Sequence, residues 1–65
     1  MLLLLDWVQE TAARFKTEIE QVSAVVTRVN DSKFMYSIND NGNMTEGERA
    51  SLSLAQIAVE QYILK

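Results

Sequence analysis

Apolar residues recur at two interlocked seven-residue intervals through the first half of the chain. Leu5, Ala12, Ile19 and Val26 form one series, and Val8, Phe15, Val22 and Val29 form the other, three residues later. Paired series of this kind make the a/d seam of an amphipathic helix. Asp6, Gln9, Glu10, Arg14, Lys16, Glu18, Glu20 and Gln21 lie between them, and neither Gly nor Pro interrupts the run. The pattern predicts one helix over about 3–30, on the order of 35–40 Å long at 1.5 Å per residue. Trp7 falls off the seam and is a candidate second contact surface. The end of the run reads in two ways. Val22, Val25, Val26, Thr27 and Val29 are β-branched, and Phe34-Met35-Tyr36-Ser37-Ile38 alternates. A hairpin of 25–29 with 33–38, turning at Asn30-Asp31-Ser32, is the alternative, and it implies a small αββα fold.

Asn39-Asp40-Asn41-Gly42-Asn43 is the strongest breaker in the sequence, and it closes an expected loop over about 31–44. Thr45 then reads as an N-cap with Glu48 as its capping-box partner. A second helix is expected over about 45–65. Its apolar residues fall into two stripes: Leu52, Ala55, Val59 and Tyr62, and Leu54, Ile57, Ala58 and Leu64. A single neighbouring helix covers only one stripe. The expected fold is therefore all-α: one domain over 1–65, a two-helix antiparallel hairpin that oligomerises. Its core is Leu5, Val8, Phe15, Ile19, Val22, Val26, Leu52, Val59 and Tyr62. Leu54, Ile57, Leu64 and Trp7 are the candidate partner-binding residues.

Composition narrows the chemistry. The chain has 65 residues and no His, Cys or Pro. A domain of this size seldom gains more than ~3–5 kcal/mol from its core without a staple. The missing residues remove disulfides, zinc and haem ligation, and the commonest general base and thiol nucleophile. A non-enzymatic role without cofactor is expected. The formal net charge is −3, with Arg14, Lys16, Arg28, Lys33, Arg49 and Lys65 scattered, which argues against nucleic acid and anionic membranes as partners. The run Leu2 to Leu5 stops at Asp6, short of a signal sequence and of a membrane span. Synthesis in the cytoplasm is the expectation.

The segment 37–48 can be laid on a calcium-binding EF-hand loop. Asn39 and Asn41 would be ligands, Gly42 the sharp turn and Glu48 the bidentate carboxylate. Ser37 stands where the first Asp belongs. A polar turn followed by a capped helix accounts for the same residues, so calcium is not expected.

Ala55-Gln56-Ile57-Ala58-Val59-Glu60-Gln61-Tyr62 resembles the second-helix segment of type III secretion needle subunits, and of the related inner-rod subunits. Leu52, Gln56 and Tyr62 match a looser spacing in the same family. The resemblance implies two helices flanking a short polar turn and subunits stacked into a hollow filament. It also implies export through a signal-independent secretion system. Under it, Leu52, Ala55, Val59 and Tyr62 face the first helix, and Gln56 and Gln61 join the partner-binding set as amide bridges between subunits. The chain differs from the family in having no proline at the turn. The functional expectation is a small helical assembly or interaction subunit, with a protein partner or further copies of itself. The alternatives are a regulatory adaptor or inhibitor acting through the second helix, and a degenerate single EF-hand-like module.

Overall fold

The computed structural model describes residues 5–64. The chain folds as β1 (Trp7–Thr11), β2 (Arg14–Ile19), β3 (Val22–Asn30), β4 (Lys33–Asp40), β5 (Asn43–Arg49) and α1 (Leu52–Ile63). The strands form one antiparallel sheet in sequence order, a meander in which each strand pairs with the next. The all-α helical hairpin is thus overturned, and a coiled coil with it. No helix occupies the described part of 3–30, which instead holds three strands. The expected loop over 31–44 contains β4 and the start of β5. The second helix begins at Leu52 rather than near Glu46. Residues 3, 4 and 65 of the expected helices lie outside the described residues.

The physical reason is period. Arg14-Phe15-Lys16-Thr17-Glu18-Ile19 alternates charged and uncharged residues, with Thr17 buried, Phe15 and Ile19 half-buried, and Arg14 and Glu18 exposed. In β3, Ala24 and Val26 are buried at two-residue spacing. Heptads step by an odd number, so along an unbroken strand they cross from face to face. The apparent seam survives because a turn falls between Phe15 and Val22. Thr17, Ile19, Val22, Val25, Val26 and Thr27 all fit a pleated surface better than a helix. The hairpin held as the alternative is present, with Val25 opposite Ser37 and Arg28 opposite Phe34. It sits inside a five-stranded sheet rather than in an αββα fold.

Two residues separate each strand from the next, which suits tight hairpins. Asn41 and Gly42 have φ of 52° and 96°, the left-handed pair that a type I′ turn demands. Asn39 Oδ1 accepts from the Gly42 N–H at 2.9 Å. Glu20 opens the β2–β3 turn at φ 55°, where a residue with a Cβ is strained. At the β3–β4 turn, Asn30 Oδ1 accepts from the Ser32 N–H at 2.9 Å, and Arg28 pairs with Asp31.

Helix α1 crosses one face of the sheet. Ser51, not Thr45, is its N-cap: the Ser51 Oγ accepts from the Leu54 N–H at 3.2 Å. Thr45 and Glu48 belong to β5, so their capping box does not form. Ala55, Gln56, Val59 and Glu60 are the buried helical positions, at the spacing that keeps one side of a helix inward. The core is Ala24, Val26, Ile38, Ala55 and Val59, with Trp7, Val22, Phe34, Tyr36, Leu52, Tyr62 and Ile63 packed around it. The stripe Leu52, Ala55, Val59 and Tyr62 therefore meets a sheet, not a helix. Among the described residues no helix is long and apolar enough to cross a membrane.

Buried polar groups are paired. Thr17 is 2% exposed, and its hydroxyl donates to the Asp6 carbonyl at 2.6 Å. Glu60 is 6% exposed. One oxygen, Oε2, accepts from the Leu5 N–H at 2.8 Å and the Trp7 Nε1–H at 3.0 Å. This ties the approach to β1 to the second half of α1.

Candidate functional site

The covered and open faces of the sheet follow from strand alternation. Phe15, Thr17, Ala24, Val26, Tyr36 and Ile38 lie on the face that carries α1, which covers β3, β4 and β5. Their sequence neighbours point away, into solvent. Register then sorts the open face into rows. Lys16 is opposite Val25, Val25 opposite Ser37, and Ser37 opposite Glu46. Arg14 is opposite Thr27, Thr27 opposite Met35, and Met35 opposite Glu48. Both rows run from a base on β2, through two uncharged side chains on β3 and β4, to an acid on β5. In a third row, Glu18, Ser23, Asn39 and Met44 follow one another, and no base is present.

An open face of an antiparallel sheet is ordinarily polar. This one keeps Val8, Val29, Met35 and Met44 exposed at 55, 51, 42 and 59%. Val25, Thr27, Val29, Met35 and Glu46 line a shallow depression of about 200 Å3 on it. Two ion pairs lie across it, Lys16–Glu10 at 3.7 Å and Lys33–Glu48 at 3.1 Å. Both are substantially solvated, so each contributes little and is easily exchanged.

A further concave region is a cleft of about 210 Å3 between α1 and strands β4–β5, lined by Tyr36, Thr45, Arg49, Gln61 and Tyr62 among others; a wider, open one of about 410 Å3 lies between the β3–β4 turn and the end of β5, lined by Asn30, Ser32, Lys33, Glu48, Arg49 and Ala50. The Arg49 guanidinium carbon sits 5.4 Å from the centroid of the Tyr36 ring, a cation–π contact. Tyr36 lies across Gly47, where a Cβ would fall 2.5 Å from its hydroxyl oxygen. The Tyr62 hydroxyl donates to Asp40 Oδ2 at 3.4 Å. Among the described residues no carboxylate lines the cleft, so they offer it aromatic and cationic contacts but no carboxylate acid–base pair.

The residues singled out from the sequence are dispersed. Leu54 and Leu64 are 50% and 44% exposed on the outer side of α1. Ile57 is half-buried and Gln61 exposed beside them. Gln56 is 6% exposed, which takes it off any outward surface and corrects its role as an amide bridge. Trp7 is half-buried, and its indole N–H is bonded to Glu60. Of the expected core, Val26 and Val59 are fully buried. Leu5, Phe15, Ile19, Val22, Leu52 and Tyr62 are half-buried. Val8 is corrected: it lies on the open face. The calcium-loop residues are spread along the β4–β5 hairpin. Asn39 is committed to Gly42 and Glu48 to Lys33. Among the described residues no group of three or more acidic side chains is placed to hold a metal ion.

Arg14, Lys16, Met35 and Glu46 escaped the sequence reading, and Glu48 was singled out there only as a cap and a calcium-loop residue. The signal for the first two was the alternation over 14–19. Nothing short of the strand register could place Glu46 and Glu48 opposite them. No family model matches the chain, and neither does any curated protein or solved structure compared with it.

Proposed function

We propose that this chain is a non-enzymatic protein-interaction subunit whose binding surface is the open face of its sheet. The observation that carries the reading is the asymmetry of the sheet. One face is closed by α1, whereas the other holds four large aliphatic side chains between 42 and 59% exposed. Exposed aliphatics grouped on one flat surface mark an interaction site more often than chance scatter does. The flanking charges give such a surface orientation and selectivity.

A second reading keeps the outer side of α1 as the surface, because Leu54 and Leu64 are also about half exposed. The two are separated by paired substitutions that leave the core alone. Association is measured by light scattering over a dilution series and by quantified affinity capture. Met35→Lys with Val29→Lys is expected to abolish it, and Leu54→Lys with Leu64→Lys to leave it intact. The reverse result moves the function to the helix. Association unchanged in both variants removes both surfaces.

A further inference from the structure

Resting on the open-face reading, we propose that the occupant of that face is a second copy of the chain. The two copies are related by a two-fold axis parallel to the strands and passing between β3 and β4. The juxtaposition behind this is the order within the two rows: Lys16, Val25, Ser37, Glu46 and Arg14, Thr27, Met35, Glu48. Reversing either row gives acid, uncharged, uncharged, base. A row read forward is complementary to the same row read backward.

Two sheets packed face to face in the aligned mode keep their strands within about 30° of each other. Only two in-plane two-fold axes allow that. An axis perpendicular to the strands lays β2 on β2 and β5 on β5, which stacks Arg14 and Lys16 on their own copies and Glu46 and Glu48 on theirs. Like charges so placed are repelled. An axis along the strands exchanges left and right. It lays β2 over β5 of the second copy, so the two bases meet the two acids twice per dimer. It also lays β3 over β4, bringing Val25 and Thr27 against Ser37 and Met35. In the third row it sets Glu18 against Met44 rather than against an acid. Charge therefore selects one of the two axes, and the uncharged centre supplies the contact.

Strand spacing of about 4.8 Å and a rise of about 3.3 Å give the four strands that overlap across this axis, β2 to β5, a face on the order of 19 by 23 Å, roughly 440 Å2 in projection. That is short of the roughly 800 Å2 that each partner gives to a standard stable interface. A reversible dimer with micromolar affinity is the expectation. The pairs Lys16–Glu10 and Lys33–Glu48 yield readily, because both are solvated.

Two variants test the geometry. One carries Arg14→Glu and Lys16→Glu, the other Glu46→Lys and Glu48→Lys. All four positions are on the solvent side of the sheet, and circular dichroism checks the fold. Sedimentation equilibrium is run from about 1 to 300 μM, a range that brackets the micromolar affinity expected of an interface this small. Wild type is expected to dimerise, and each variant alone to do so at least about tenfold more weakly. An equimolar mixture of the two is expected to return to within about threefold of wild type, since both β2–β5 contacts become attractive again. Raising salt to about 0.5 M should shrink these differences. Rescue by mixing cannot come from misfolded chains. A wild type that stays monomeric throughout, or a mixture no tighter than its components, overturns the second-copy arrangement. The open-face reading survives that result if Met35→Lys with Val29→Lys still abolishes capture. It falls with the arrangement if dimers persist in both charge variants and vanish only on substituting Leu54 and Leu64.

Discussion

The two faces of this sheet share every strand and every turn, yet they differ in what a single substitution can do to them. Under α1, Val26, Ile38 and Val59 are at most 1% exposed, and the small Ala24 and Ala55 let helix and sheet approach. On the other side, Met35 is 42% exposed, between Thr27 on β3 and Glu48 on β5. The backbone is common to both, so the contrast isolates the side chains. The covered face holds the register in place. A one-residue slip would carry Val25 and Thr27 of β3 under the helix and Ala24 and Val26 into water, and the cost of that exchange forbids it. The open face pays nothing toward the fold and is left free to carry a charge pattern.

The largest expected effect is on the covered face. Ile38→Ala should destabilise the chain by about 2–5 kcal/mol, whereas Met35→Ala, on the same strand but on the open side, should change stability by less than about 1 kcal/mol. Urea titration followed by circular dichroism measures both, and equal losses would erase the distinction between the faces. Next comes Gly47, whose absent side chain makes room for Tyr36. Gly47→Ala places a methyl group 2.5 Å from the tyrosine oxygen and should destabilise by about 1–3 kcal/mol. A wild-type melting curve would mean that the ring swings aside freely.

Glu60 sharpens the comparison at the edge of the covered face. Glu60→Leu leaves the Leu5 and Trp7 N–H groups without their acceptor and should lower stability by about 1–3 kcal/mol, with a red shift of Trp7 emission as the indole becomes hydrated. Glu60→Gln retains an acceptor oxygen and should keep most of that stability. The smallest change lies in a turn that serves both faces equally. Glu20→Gly relieves the φ of 55° and should stabilise by about 0.5–1 kcal/mol. In a domain this small that raises the melting temperature by a few degrees. No gain would show that Glu20 is unstrained.

Part of the fold was legible in advance. Asn39 to Asn43 announced a turn, and Asn41-Gly42 makes one. The C-terminal segment reads as helical, with one stripe of Leu52, Ala55, Val59 and Tyr62 and another of Leu54, Ile57, Ala58 and Leu64; α1 buries Ala55 and Val59 of the first together with Gln56 and Glu60, and of the second it leaves Leu54 exposed and half-buries Ile57 and Ala58. The segment 25–38 was recognised as able to form a hairpin. The misreading lay in 5–29, where a heptad count outweighed β-branched content. A spacing of seven can arise from a strand, a two-residue turn and a second strand as well as from a helix. The candidate surface was less legible still, because a row is defined across four strands. Lys16 and Glu46 are thirty positions apart in the sequence, and no local period connects them.

By itself the chain determined its turns, the helical character of its last segment and the inventory of side chains available for chemistry, since those depend on neighbours a few residues apart. Which face of each strand meets α1, and which charges stand in line across the sheet, was decided only when pairing register and helix docking were settled together. Burial is shared among distant residues, and its free energy is realised only in the assembled structure.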